Sequence, residues 1–196
     1  MKKPRICFAT NNQHKLDEVR AMMPPQIELL SLQEIGCFED LPENQPNIEG
    51  NALEKAAFIF QKYGIDCFAD DTGLEADGLG GAPGVDTAHY AGPERDAIKN
   101  MRLLLQNLEN STNRHARFRT IFCLFWQGEA YSFEGRVDGQ IAVEMRGEGG
   151  FGYDPVFIPE GYRQTFAELG QEIKNHFSHR AEACRKLAAF LQTTGV

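Results

Sequence analysis

Two aspartates stand side by side at Asp70-Asp71 and are followed by Thr72-Gly73, after an apolar run at residues 65–69 that reads as a strand. Neighbouring carboxylates at the end of a strand point to opposite sides, so one of the pair can address a given ligand. Hard carboxylate oxygens suit Mg2+, which usually takes one or two of them and fills its shell with water and substrate phosphates. The same residues also suit an ordinary acidic turn. Glu43 lies in an acidic loop at residues 37–50 with Glu39, Asp40 and Glu49. It would add a second metal oxygen if that loop folds over the strand end; a solvated loop is the plainer alternative.

A second group of residues suits an anion. The apolar run at residues 6–9 ends in Thr10-Asn11-Asn12, and helical spacing then takes over at Leu16, Val19, Met22 and Met23. A strand that turns into a helix amino terminus presents outward N–H groups, and Lys15 on the first turn adds a full positive charge. No GxxxxGK[ST] occurs, so this is phosphate-binding chemistry without a P-loop; an asparagine cap beside a surface lysine would look the same. Further on, Gly149-Gly150-Phe151-Gly152-Tyr153-Asp154-Pro155 sets glycines around two aromatic rings, which lets backbone approach a ligand while a ring offers a stacking face. Lys174, His179, Arg180, Arg185 and Lys186 form a basic stretch in an acidic chain. His179 and Arg180 fall on the first turn of a last helix, where the helix dipole disfavours cations unless an anion or carbonyl sits opposite. His176 and His179 also have the spacing of a metal pair, but no third ligand accompanies them.

These residues need elements to hold them. Strands are expected at residues 6–9, 27–30, 65–69 and 156–158, and a long hairpin at 118–141 turning on Gln127-Gly128-Glu129. Helices are expected after Asn12, over Leu53, Ala56, Ala57 and Phe60, from Pro93 through Ile98, Met101 and Leu105, and over Cys184, Leu187, Ala188 and Leu191 with Ser178 as cap. Residues 79–84 are glycine-rich and irregular. Strand–helix units mixed with a hairpin imply an α/β fold with a mixed sheet. At 196 residues the chain is expected to be a single domain, 1–196, with room for two lobes.

Composition narrows the function. A net charge of −8 argues against a protein that coats nucleic acid or an anionic membrane, though not against a small anion in a local pocket. The longest strictly apolar run, residues 121–126, is far short of the ~20 residues of a membrane span. Met1-Lys2-Lys3-Pro4 is basic but runs quickly into Asn, Gln and His, so no signal peptide is expected. The five cysteines, with no CxxC, suit buried thiols in a reducing cytoplasm better than a disulfide framework.

Taken together, the segments resemble the inosine triphosphate pyrophosphatase family. The resemblance runs from Ala9-Thr10-Asn11-Asn12-x-x-Lys15 through Asn51-Ala52-x-x-Lys55-Ala56, Ala69-Asp70-Asp71-Thr72-Gly73-Leu74, Gly80-Gly81-x-Pro83-Gly84, Gly150-Phe151-Gly152-Tyr153-Asp154-Pro155, Thr165-Phe166-Ala167-Glu168-Leu169 and Lys174-Asn175 to Ser178-His179-Arg180-Ala181, nearly the whole chain. It implies an elongated mixed sheet flanked by helices, two lobes around a central cleft, and a homodimer. It also implies Mg2+-dependent cleavage of ITP, dITP and XTP between the α and β phosphates.

Carried over, the resemblance makes Thr10, Asn11, Asn12 and Lys15 a triphosphate cradle and Lys55 a further phosphate contact. Asp71 becomes metal ligand and proton acceptor for water, Glu43 the second metal carboxylate, and Thr72 a substrate contact. Phe151, Gly152, Tyr153 and Asp154 would hold base and sugar, with Phe151 as stacking ring, and Lys174, His179 and Arg180 would surround the purine edge. The chain departs from the family at His89-Tyr90, where an arginine often precedes the tyrosine, and at Gly50, where an acidic residue is common. Other readings are an aspartyl-nucleophile phosphatase, which the mid-chain position and spacing of Asp70-Asp71 disfavour, a nucleotide-binding regulator, and an inert interaction module.

Overall fold

The computed structural model describes residues 3–194. Its elements are β1 (Arg5–Ala9), α1 (Gln13–Met22), β2 (Glu28–Leu30), α2 (Ile48–Tyr63), β3 (Cys67–Ala76), β4 (Pro83–Gly84), α3 (Ala97–Asn107), β5 (His115–Trp126), β6 (Glu129–Ile141), β7 (Phe157–Pro159), α4 (Phe166–Leu169), α5 (Gln171–Phe177) and α6 (His179–Thr193), with short 3₁₀ turns between. The strands pair in the order β2-β1-β3-β5-β6-β7, with β4 on β3. β1 is parallel to β2 and β3, while β4 on β3 and β7 on β6 are antiparallel, so the sheet is mixed as expected. No helix among the described residues is long and apolar enough to cross a membrane.

The chain forms two compact units. The first takes in the residues up to Asp71, Thr120–Gly135 and the residues from Arg180 onward; the second takes in Thr72–Arg119 and Arg136–His179. In the first unit, β1 and β3 pair with Phe8 beside Phe68 and Cys7 beside Cys67. The rings of Phe8 and Phe68 stack at 4.6 Å and Phe122 of β5 joins them. Leu16 and Val19 of α1 and Cys184, Leu187 and Leu191 of α6 close over this aromatic row. Each such side chain contributes roughly 1.5–3 kcal/mol on burial. The spacing read from the sequence for α6 therefore does face the core.

α2 differs from its expected register. Its buried face is Ile48, Asn51, Ala52, Lys55, Ala56 and Ile59, while Leu53 lies exposed. The apolar stripe expected at Leu53, Ala56, Ala57 and Phe60 is thus rotated, because tertiary contacts draw two polar residues, Asn51 and Lys55, inward. The helix also begins inside the loop expected to reach Gly50: Asn47 caps it by accepting from the Gly50 N–H at 2.7 Å. Gly64 ends it in the left-handed region at φ 60°, where a side chain would be strained.

In the second unit, Leu74 and Ala76 of β3, Met101 and Leu104 of α3, Phe118 of β5 and Phe157, Phe166 and Tyr153 share one core. α3 starts later than expected. Asp96, not Pro93, sets its start by accepting from the N–H groups of Ile98 and Lys99, and Ile98 faces solvent. Gln127 and Gly128 connect β5 to β6 with φ of 51° and 89°, the sense a two-residue hairpin turn needs. α4 and α5, absent from the sequence reading, are one and two turns long; Thr165 and Glu168 form a reciprocal cap on α4.

Candidate active site

In the first unit, β1 ends at Ala9 and α1 begins at Gln13, so residues 10–12 form the turn. Asn12 caps α1 by accepting from the Lys15 N–H at 3.2 Å, and the Thr10 hydroxyl oxygen accepts from the Asn12 N–H at 3.2 Å. Asn11 and Asn12 are exposed. The Lys15 ammonium reaches back to Asp70 at 2.9 Å.

β3 does not stop before the aspartate pair, as the sequence reading had it; Asp70, Asp71, Thr72 and Gly73 all lie within it. The strand alternation then gives the two carboxylates different partners. Asp70 is buried and meets Lys15 and, at 3.7 Å, the Arg180 guanidinium. Arg180 also pairs with buried Glu18 of α1. The anions opposite Arg180 on the first turn of α6 are therefore carboxylates of the protein itself. Asp71 accepts from the Asn51 amide at 3.1 Å and lies 3.5 Å from the Lys55 ammonium, while the hydroxyl of buried Thr120 donates to the Asp71 carbonyl.

Lys55 also holds Glu43 at 2.6 Å. The loop that carries Glu43 is tied to α2: the Asn44 N–H donates to Glu54 at 2.8 Å and the Gln45 N–H to the Asn51 amide oxygen at 2.9 Å. Glu43 and Asp71 thus converge on one positive charge. That arrangement fits a divalent cation with hard oxygen preference. Among the described residues no three metal-ligating side chains gather.

The electrostatics separate the two aspartates. Burial would raise both pKa values. For Asp70, Lys15, Arg180 and Lys55 overcome burial and hold it down at about 2. For Asp71, burial wins over Lys55, Lys15 and the Asn51 hydrogen bond, and its pKa is raised. Burial disfavours charge on Lys55, but Asp71, Asp70 and Glu43 outweigh it and raise its pKa. Burial lowers that of Lys15, helped by Lys55 and Arg180 and opposed by Asp70.

The second unit holds the other expected residues. The Asp154 carboxylate, 2% exposed, accepts from the Lys174 ammonium at 2.7 Å and from the Phe151 N–H at 2.9 Å. Lys174 lies over the Phe151 ring at 4.5 Å from its centroid, a cation–π contact. Gly150, at φ 76°, permits this: a Cβ there would stand 2.2 Å from the Asp154 carboxylate. Gly152 is also left-handed, at φ 61°. Tyr153 is buried, and its hydroxyl donates to the Thr87 carbonyl at 2.9 Å. His179 is buried and stacks on Phe118 at 4.7 Å. Thr72 follows Asp71 on β3 and is half-buried.

The sequence reading grouped Lys174, His179 and Arg180; the ion pairs divide them, Lys174 with Asp154 and Arg180 with Glu18 and Asp70. It assigned no role to Asn51 or Glu18. Asn51 had a signal, since it lies four residues before Lys55 and so on the same helical face. Glu18 had none beyond its place one turn after Lys15.

A model described as the Ham1 family matches residues 6–190. The chain is 50% identical over 190 residues to a protein of Flavobacterium johnsoniae named dITP/XTP pyrophosphatase, covering 97% of this chain and 99% of that one. It is 51% identical over 188 residues to the protein of that name from Porphyromonas gingivalis, covering 95% and 97%. Among solved structures it is similar to the Staphylococcus aureus Ham1 protein, with a TM-score of 0.88, 34% identity and coverage of 97% and 99%. Matched along nearly its whole length in sequence and in fold, the chain belongs to the Ham1 family.

Proposed function

We propose that the protein, as one catalytic domain over residues 1–196, is a nucleoside triphosphate pyrophosphatase that hydrolyses ITP, dITP and XTP to the monophosphate and pyrophosphate, with Mg2+ as cofactor. The observation that carries this reading is the convergence of Glu43 and Asp71 on the Lys55 ammonium. The names of the relatives from Flavobacterium johnsoniae and Porphyromonas gingivalis support the substrate class.

Thr10, Asn11, Asn12 and Lys15 are assigned to the triphosphate, with N–H groups at the start of α1 and the Lys15 charge facing the phosphate oxygens. Lys55 adds a second cation, and Thr72 a contact beside Asp71. Glu43 and Asp71 would hold Mg2+, which when bound orients the phosphates and polarises the reacting phosphoryl group. Asp71 takes a proton from water as the water oxygen bonds to phosphorus and the bond between the α and β phosphates breaks. Asp71 lies beside Thr72 on β3 and accepts from the Asn51 amide, which holds its carboxylate in place for that proton.

Phe151, Gly152, Tyr153 and Asp154 are assigned to base and sugar, and Lys174, His179 and Arg180 to the purine edge. Their N–H donors pair with the six-carbonyl of hypoxanthine or xanthine; the amine of adenine offers no acceptor there. Each unmatched buried group costs about 1–3 kcal/mol, roughly one to two decades in rate. A homodimer is proposed on the family resemblance and the cytoplasm on the five free cysteines. Nucleic acid polymers and membranes are not among the proposed partners.

A turnover panel tests the reading. Protein with Mg2+ meets ITP, XTP, dITP, GTP and ATP, with pyrophosphate and orthophosphate assayed separately. Pyrophosphate released preferentially from ITP, XTP and dITP is expected. Orthophosphate would move the cleaved bond to the terminal phosphate and overturn the reading.

A further inference from the structure

Asn51 is 5% exposed on the inner face of α2, one turn before Lys55. Asparagine is a weak helix former, and alanine or leucine would suit a buried helical position better. Both ends of its amide are in use. The amide N–H donates to Asp71 Oδ2 at 3.1 Å, and the amide oxygen accepts from the Gln45 N–H at 2.9 Å. Gln45 lies two residues past Glu43, on the same loop. The Asp71 oxygen left over, Oδ1, is the one that faces Lys55, whose other partner is Glu43.

We infer that Asn51 is a positioning residue: its amide sets the rotation of the Asp71 carboxylate and, through Gln45, the reach of Glu43, so that the two present their oxygens to one divalent cation. The inference rests on the reading of Asp71 and Glu43 as metal carboxylates. A carboxylate that rotates freely loses its ligand geometry, and outer partners of metal ligands typically carry about 10–100-fold in metal affinity or activity. The loop has a second anchor that does not touch Asp71, the Asn44–Glu54 pair at 2.8 Å, and this separates positioning from mere loop fastening.

The test measures Mn2+ binding by electron paramagnetic resonance, in the presence of a non-hydrolysable inosine triphosphate analogue with a bridged α–β linkage. Affinity for the analogue alone is measured without metal. Asn51→Leu keeps the branched shape and removes both hydrogen bonds. Asn51→Ser, too short to reach both partners, replaces it if melting shows that the leucine variant does not fold. Expected is Mn2+ binding at least tenfold weaker, unchanged metal-free affinity for the analogue, and near-native Mn2+ binding in Glu54→Leu, which removes the acceptor of the Asn44 N–H. Native Mn2+ affinity in the Asn51 variant would overturn the inference. So would an equal loss of metal and analogue binding, or an equal effect of Glu54→Leu. Asp71→Asn keeps the two readings apart: if it also binds Mn2+ normally, the metal assignment itself fails, whereas a loss confined to Asp71→Asn removes only Asn51.

Discussion

Asp70 and Asp71 are neighbours on one strand, yet one is an ion-pair anchor held at a pKa of about 2 and the other a carboxylate raised by burial. Lys15 and Arg180 surround the first; Asn51 and Lys55 face the second. The strand pleat separates them, and their roles separate with it.

Asp71→Asn is expected to lose about 10²- to 10⁴-fold in turnover, the range for loss of a general base. Its fold should survive. A carboxylate with a raised pKa is disfavoured as an anion in the folded state, so replacing it with a neutral amide removes a cost. Steady-state kinetics beside a thermal melt check both; near-native turnover would remove Asp71 from the chemistry.

Asp70→Asn should behave in the opposite way. It leaves buried Arg180 and Lys15 without their shared partner, which typically destabilises by about 3–5 kcal/mol. The sign with pH follows. The folded pKa of about 2 lies below the ordinary 3.8, so the stabilisation is present above about 3.8 and is lost as the pH falls toward 2. Denaturant titrations of both proteins between pH 6 and pH 2 should show the gap closing over that window.

Lys174→Met tests base recognition. The single variant strands buried Asp154 and should lose about 3–5 kcal/mol of stability. Lys174→Met with Asp154→Asn should regain part of it, because the two residues are one coupled pair. In both, kcat/KM for ITP relative to ATP should fall by about one to two decades. An unchanged ratio would take Lys174 away from the purine.

The five cysteines should resist a thiol reagent in the native protein. All are buried and free. Burial pushes the Cys7 thiol up to about 12 and those of Cys123 and Cys184 to about 11, far from the reactive thiolate. Titration with an aromatic disulfide should find almost none before unfolding and all five after it.

Much of the fold was legible where the physics is local. β1, the Asn12 cap, α1, the Gln127-Gly128 turn and the α6 stripe follow from apolar periodicity, a capping side chain and turn chemistry within a few residues. α2 was read with its apolar stripe rotated, and α3 with its start at Pro93 rather than at the Asp96 cap. In α2 the apolar residues nearly encircle the helix, and only its neighbours decide that Asn51 and Lys55 turn inward while Leu53 turns out.

The same division runs through the site. Residue type and order made Asp71, Glu43 and Lys15 candidates for phosphate and metal chemistry, because charge and hard oxygen donors are properties of the side chains themselves, and the family resemblance added Lys55. Tertiary structure decided which carboxylate is an ion-pair anchor held low and which is raised by burial. It also decided that Arg180 answers to Glu18 and Asp70 and that Asn51 joins Asp71 to the Glu43 loop. Those outcomes depend on burial and on partners up to 162 residues apart in sequence, and no local pattern carries such distances.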